Sequence, residues 1–307
     1  MTKLRIGTRQ SKLALWQAHF VRDRLRATQS DLEVELVGIT TQGDRRQEVL
    51  LSTAGGKGLF LKELEEAVLT GQVDIAVHSM KDVTATLPAG LHIPVICERG
   101  DPRDVLVSER ADTLSTLPQN ATVGTCSLRR QCLLRHLVPG VKVVPIRGNV
   151  HTRLKRLDQG DFDAVILAAA GLQRLSLEHR IGQTIPVEKM LPAVGQGAIG
   201  IECRIDDDTV NRIIQPLNHG PTQVRVRAER AANEALGGNC HLPVAFYAEL
   251  TDGQLHVRGM VGTPDGSDVL FAEKRGPAKH PESMGQRVAE ALQGLGAERI
   301  LNRVRTD

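Results

Sequence analysis

The chain has 307 residues, of which 41% are hydrophobic and 24% charged, and its 39 Lys and Arg against 36 Asp and Glu leave a net charge of +3. That length suits two or three domains with ample core and no need of staples. So mild a charge with no long basic run, and only 2% aromatic residues, argue against a nucleic-acid partner. No stretch approaches the ~18 apolar residues of a membrane span. The opening MTKLRIGTRQ lacks the apolar core of a signal peptide. Cys97, Cys126, Cys132, Cys203 and Cys240 make an odd count without CxxC spacing. A disulfide framework and a metal site are therefore both disfavoured, and the expected setting is the reducing cytoplasm.

In chain order, Leu4–Thr8 predicts a strand and a helix follows from about Ser11, with Ala14, Ala18, Val21 and Leu25 on one face. Val34–Ile39 reads as a strand. A helix near Leu59–Leu69 groups Phe60, Leu64, Ala67 and Val68, and Gly71 can end it. Asp74–Val77 is then a short buried strand. The order recurs: strand Ala121–Thr125, a helix from about Ser127, strand Lys142–Ile146, helix Asn149–Leu157, strand Asp163–Ala168. Gly7-Thr8 echoes Gly124-Thr125, and Gly71-x-x-Asp74 echoes Gly160-x-x-Asp163.

This alternation predicts an α/β fold of two similar lobes with mixed, mainly parallel sheets and a ligand cleft at the strands' carboxyl ends. Segments near Cys97–Arg103 and Met190–Gly197 read as crossovers. Lobe two (102–193) is then inserted into lobe one (1–97 plus 198–217), to which Ala198–Cys203 returns. The remainder, 220–307, differs. A helix at Thr222–Leu236, strands Val244–Leu250, Leu255–Val261 and Val269–Lys274 and a helix from Glu282 predict a small α+β domain with a three-stranded antiparallel sheet.

Arginines crowd the expected strand ends. Arg9 follows the first strand, Arg129 and Arg130 open the helix after Gly124-Thr125, Arg147 follows Lys142–Ile146, and Arg153 lies on the next helix. Helix N-termini already favour anions, and arginine adds a planar fork for carboxylate or phosphate. Any one of them alone reads equally well as a solvating surface charge. Gly55-Gly56-Lys57-Gly58 is an anion-loop candidate or simply a mobile loop, and it lacks the Walker spacing. In His78-Ser79-Met80-Lys81-Asp82, the last residue could be a general acid, against the plainer reading of a cap or loop ion pair. His78 reads as a structural hydrogen-bonder. Cys97 and Cys203 sit in apolar strands and read as packing residues, whereas Cys240 in Gly237-Gly238-Asn239-Cys240-His241 is a loop thiol placed for reactivity.

With these residues assembled, the chain resembles the porphobilinogen deaminase family over essentially its whole length. The motifs that carry the resemblance are GTRQSKLALWQA (Gly7–Ala18), GGKGLFLKELE (Gly55–Glu65), DIAVHSMKD (Asp74–Asp82), GTCSLRRQ (Gly124–Gln131), RGNVHTRL (Arg147–Leu154), LPAVGQGAIGIECR (Leu191–Arg204) and LGGNC (Leu236–Cys240). The resemblance implies two periplasmic-binding-protein-like lobes and a third domain with a cysteine loop. It implies a transferase that joins four porphobilinogen molecules head to tail, with loss of ammonia, into hydroxymethylbilane. It makes Cys240 the thioether anchor of a covalent dipyrromethane cofactor and Asp82 the catalytic carboxylate. Lys81, Asp82, Ser127, Arg129, Arg130, Arg147 and Gly148 become cofactor ligands, and Arg9, Ser11, Arg147 and Arg153 substrate ligands. Gly55, Gly56 and Lys57 become a mobile loop. A cytoplasmic monomer without nucleic-acid or membrane partners is the family expectation. Thr53 stands where lysine is frequent, and Asn239 where glycine usually precedes the cysteine. Two rivals read from the same residues are a two-lobed binding module for an anionic ligand, which has no use for Cys240, and a cysteine hydrolase using Cys240 and His241. The hydrolase ranks low because adjacent residues seldom aim a base at its nucleophile.

Overall fold

Lys3-Leu4-Arg5-Ile6 alternates polar and apolar residues, and the strand it forms buries Leu4 and Ile6 while Lys3 faces water. In the computed structural model, which describes residues 2–41, 61–238 and 242–306, that strand opens the first of two compact units. The first comprises Met1–Arg99 with Ala198–Gln223, the second Gly100–Gly197 with Val224–Asp307.

Elements of the first half are β1 (Thr2–Thr8), α1 (Lys12–Thr28), β2 (Leu32–Gly38), α2 (Lys62–Leu69), β3 (Ile75–Ser79) and β4 (Leu91–Ile96). There follow β5 (Asp104–Ser108), β6 (Thr122–Gly124), α3 (Leu128–Leu137), β7 (Lys142–Val144), α4 (Val150–Asp158), β8 (Ala164–Ala168), α5 (Ala169–Arg174) and β9 (Gln183–Thr184). The chain continues through β10 (Ile199–Arg204), α6 (Asp208–Ile214) and α7 (Gly220–Ala235). It ends in β11 (Val244–Thr251), β12 (Gln254–Gly262), β13 (Val269–Pro277), α8 (Pro281–Gly294) and α9 (Ala297–Thr306).

Among the described residues the strands form three sheets. The first unit holds the order β2-β1-β3-β10-β4, and the second holds β7-β6-β8-β5-β9. Both follow one plan. A central strand pairs parallel with two neighbours (β1 with β2 and β3; β6 with β7 and β8), and a returning strand pairs antiparallel on both sides (β10 and β5). The expected alternation is therefore present twice. Parallel and antiparallel pairs are equal in number, though, so the parallel share is smaller than the alternation alone suggests. The difference lies in β5 and β10, which lead into or return from a lobe and so run against the βαβ strands.

The short sequence echo has a common structural basis. Asp74 Oδ2 accepts the Arg5 N–H and Asp163 Oδ2 the Thr122 N–H, each at 2.7 Å. Their own N–H groups return to Arg5 O and Thr122 O, each at 2.9 Å. In both lobes a carboxylate thus fastens the start of a buried strand to the parallel strand beside it, at the middle of β1 and at the start of β6.

The third sheet, β11-β12-β13, is antiparallel throughout, as expected. Ala245, Tyr247 and Met260 pack on one side with Cys132, Leu133 and Leu134 of α3. Phe246, Ala248 and Val257 pack on the other with Ala228 and Ala232 of α7 and Val288 and Leu292 of α8. Consecutive burial of Val244–Ala248 follows from this double covering.

Candidate active site

In the first unit, β1 and β3 are adjacent parallel strands, so the residues after their carboxyl ends emerge side by side. After β1 come half-buried Arg9 and Ser11, whose Oγ caps α1 by accepting the Ala14 N–H at 3.3 Å. After β3 the chain makes one 3₁₀ turn, Met80–Asp82, with Lys81 half-buried and Asp82 exposed. That turn is held on both sides. Met80 N–H donates to Ala198 O at 3.0 Å, and the buried Gln17 Nε2 of α1 donates to Ser79 Oγ at 2.7 Å. His78 does not join Asp82. It is buried, and its Nε2 lies 2.9 Å from Glu202 Oε2 of β10, the structural role read for it from sequence.

The second unit repeats the corner twice. Ser127 caps α3, its Oγ 3.5 Å from the Arg130 N–H, and Asn149 Oδ1 caps α4 by accepting the Thr152 N–H at 3.0 Å. Because β6 and β7 are parallel neighbours, the two corners meet: Thr125 N–H donates to Val144 O at 3.0 Å, and Cys126 Sγ lies 3.0 Å from Ile146 O. Ser127, Arg147, Gly148 and Arg153 therefore gather at one strand-end region. Gly148 has φ +98°, and a Cβ there would strike Thr152. Arg153 Nε donates to the freed Gly148 carbonyl at 2.9 Å. Glycine is thus what lets the chain turn tightly between Arg147 and Arg153.

Arg129 and Arg130 differ from the expectation of open forks. Both are buried and both engage Asp104 at the head of β5: Arg129 Nη1 lies 2.7 Å from Oδ2, and Arg130 Nη2 2.7 Å from Oδ1. Backbone carbonyls take further donors, Leu191 O from Arg129 at 2.6 Å and Ile166 O from Arg130 at 3.0 Å. Burial pushes the Asp104 carboxyl upward, but the charges of Arg129 and Arg130 outweigh it and hold the group well below the usual carboxylate range. Asp104 lies outside every motif read from the sequence, and Gln196 lies within Leu191–Arg204 without a role assigned to it, because side chains that meet only in the fold leave no local pattern.

Gly55, Gly56, Lys57, Thr53, Asn239, Cys240 and His241 lie outside the described residues. The approach to Cys240 is described as far as Gly238. Gly237 has φ +58°, and its N–H closes α7 on Glu234 O at 2.8 Å. Gly238 N–H donates to Asn233 O at 2.8 Å, and Asn233 Nδ2 donates back to Gly238 O at 3.1 Å. A Cβ on Gly238 would overlap the Asn233 side chain and meet its carbonyl oxygen at 3.0 Å. Gly238→Ala should therefore lower stability by about 1–3 kcal/mol in urea unfolding, the usual cost of overpacking. The other thiols fit their packing roles. Cys97, Cys132 and Cys203 are buried, and burial pushes Cys132 and Cys203 up to about 12.

Two arginine cations on one carboxylate leave the Asp104 cluster with one positive charge to spare, and Arg129 Nε is buried without a hydrogen-bond partner. Together with Arg147 and Arg153, which flank the turn at Gly148, these donors suit a polycarboxylate such as a dipyrromethane.

Comparison with known proteins gives two family matches. The profile described as porphobilinogen deaminase, dipyromethane cofactor binding domain matches residues 4–212, and that described as porphobilinogen deaminase, C-terminal domain matches residues 223–294. Among solved structures, a putative methionine-binding lipoprotein from Bacillus subtilis is similar at 10% identity, over 71% of this chain and 91% of that one, with a TM-score of 0.47. A periplasmic substrate-binding protein of an ABC transporter from Coxiella burnetii is similar at 15% identity, over 71% and 93%, with a TM-score of 0.45.

Proposed function

This chain belongs to the porphobilinogen deaminase family, and from that premise we propose how the work is divided among its residues. The activity is a transferase reaction that joins four porphobilinogen molecules head to tail, releases ammonia and yields the linear tetrapyrrole hydroxymethylbilane. Dipyrromethane, when bound, would supply the primer and the first nucleophilic pyrrole carbon.

Cys240 would hold that group by a thioether, and Lys81, Asp82, Ser127, Arg129, Arg130, Arg147 and Gly148 would hold its carboxylates and pyrrole N–H groups. Arg9, Ser11, Arg147 and Arg153 would take the acetate and propionate of incoming porphobilinogen. As the carboxylic acid, Asp82 would give its proton to the amino nitrogen of porphobilinogen as the C–N bond breaks and ammonia leaves. As the carboxylate, it would then face the positive charge left on that pyrrole and recover a proton from the pyrrole carbon that attacks. The reading rests on one repeated observation, the strand-end corner that carries a capping hydroxyl or amide beside arginine in both units. Every pyrrole brings two carboxylates, which accounts for many arginines under a small net charge.

We further propose three domains, with 220–307 carrying the cysteine loop, and a cytoplasmic monomer that acts without nucleic acid or membrane. Among the described residues Cys97, Cys126, Cys132 and Cys203 form no disulfide, in keeping with a reducing compartment. Among the described residues no helix is long and apolar enough to cross a membrane. Purified protein given porphobilinogen should release ammonia and form a product that oxidises to a coloured tetrapyrrole. Binding without ammonia release would leave only the non-catalytic two-lobed module.

A further inference from the structure

Asp104 is wholly buried at the start of β5, yet its carboxylate accepts four hydrogen bonds. Its Oδ2 accepts from Arg129 Nη1 at 2.7 Å, and its Oδ1 accepts from Arg130 Nε at 3.2 Å, Arg130 Nη2 at 2.7 Å and Gln196 Nε2 at 2.9 Å. Gln196 is itself buried and reaches Pro102 O at 2.6 Å, so the segment just after Pro102 and the one before Gly197 are tied to the same carboxylate.

A buried ion pair is weak evidence for a stability device, because desolvation takes back most of the attraction. Here the balance is worse than in a pair. Two cations share one anion, and the surplus positive charge sits where water does not reach it. Such a cluster makes physical sense when an anion completes it. Arg129 points the same way, because its Nε is buried with no hydrogen-bond partner while its Nη1 is fixed by Asp104 and Leu191 O. Arg130 is fixed likewise, by Asp104 on one side and Ile166 O on the other.

We propose that Asp104 is a positioning residue that orients the guanidinium groups of Arg129 and Arg130, with Gln196 as its brace, so that their remaining N–H groups meet a carboxylate of the cofactor. The proposal rests on the reading of those two arginines as cofactor ligands. Fixing one edge of each fork before the ligand arrives removes the cost of ordering two long side chains at that moment. It also gives the cluster a charge that one ligand carboxylate neutralises.

The test compares wild type, Asp104→Asn, the lysine pair Arg129→Lys/Arg130→Lys, and the triple variant. Each is incubated with porphobilinogen, denatured and weighed intact, and its melting temperature is read before and after. Asp104→Asn is expected to keep its secondary structure by circular dichroism. Its two-pyrrole adduct should fall by at least ~fivefold, the reach of about 1 kcal/mol in affinity, and the thermal shift on loading should shrink with it. In the lysine background the same substitution should change the adduct by less than ~twofold, because the forks it aligns are gone. Full loading of Asp104→Asn with the wild-type thermal shift, or an undiminished loss in the lysine background, overturns the proposal.

Normal loading of the lysine pair would instead overturn the ligand role of the arginines, and the proposal with it, and that variant alone identifies this failure. Should Asp104→Asn not fold, Asp104→Asn/Arg129→Gln removes one charge of each sign and takes its place, compared with Arg129→Gln. A smaller adduct in the double variant supports the positioning role of Asp104 on Arg130, and an equal one overturns it.

Discussion

Asp82→Asn should slow ammonia release by at least ~10²-fold, the usual contribution of a positioned general acid, while leaving the fold and the bound cofactor in place. Asparagine keeps the size of the side chain and much of its hydrogen bonding but has neither a transferable proton nor a negative charge. The fold should tolerate it because Asp82 is exposed and the turn that carries it is held by other groups. Those are Met80 N–H on Ala198 O, Val83 N–H on Met80 O at 3.2 Å, and Gln17 on Ser79. Single-turnover measurements, with melting temperature as the control, separate chemistry from folding. A variant within a few-fold of wild type would remove Asp82 from the acid role.

Active protein should weigh two pyrrole units more than its sequence, and the excess should survive denaturation and thiol treatment. A soft pyrrole methylene cation is best captured by a thiolate, and the thioether that results is not a disulfide, so reductants leave it intact. Peptide mapping should place the mass on Cys240. Cys97, Cys132 and Cys203 are poor competitors, since each is buried and the last two are held protonated far above neutral pH. Cys126 is only half-buried, with its Sγ directed to Ile146 O, and should also map as free thiol. Cys240→Ser should fold but carry no such thioether. An active enzyme of unmodified mass would end the covalent-primer mechanism even with the fold intact.

How much of this could be read in advance depended on whether the signal was local. Helices α1, α3 and α4 were placed within a residue or two of their starts because Ser11, Ser127 and Asn149 cap them. The three strands of the last sheet were equally plain, since Asp252-Gly253 and Asp265-Gly266 mark their turns. Strands β5 and β9 were not foreseen, and β4 was legible only as an apolar strand around Cys97. Their partners are far away in sequence: β5 pairs with Ala164–Ala168, and β4 with a strand a hundred residues on. Arg129 and Arg130 were picked out together, but Asp104, which holds them, lies 25 residues before Arg129, and Gln196, which braces Asp104, lies 92 residues after it. A buried charge is legible only once its partners are known.

The double covering of β11 has a consequence for shorter forms of the protein. A chain ending after Gln223 would lose one wall of the pocket that shields Cys132, Leu133 and Leu134, and the lobe left behind would present that apolar patch to water. Equally, a fragment beginning at Val224 would uncover Ala245, Tyr247 and Met260. Either piece expressed alone should therefore carry an uncovered apolar face and be prone to associate through it. The sheet that follows the thiol loop in sequence therefore shares one apolar core with α3 and depends on it for cover.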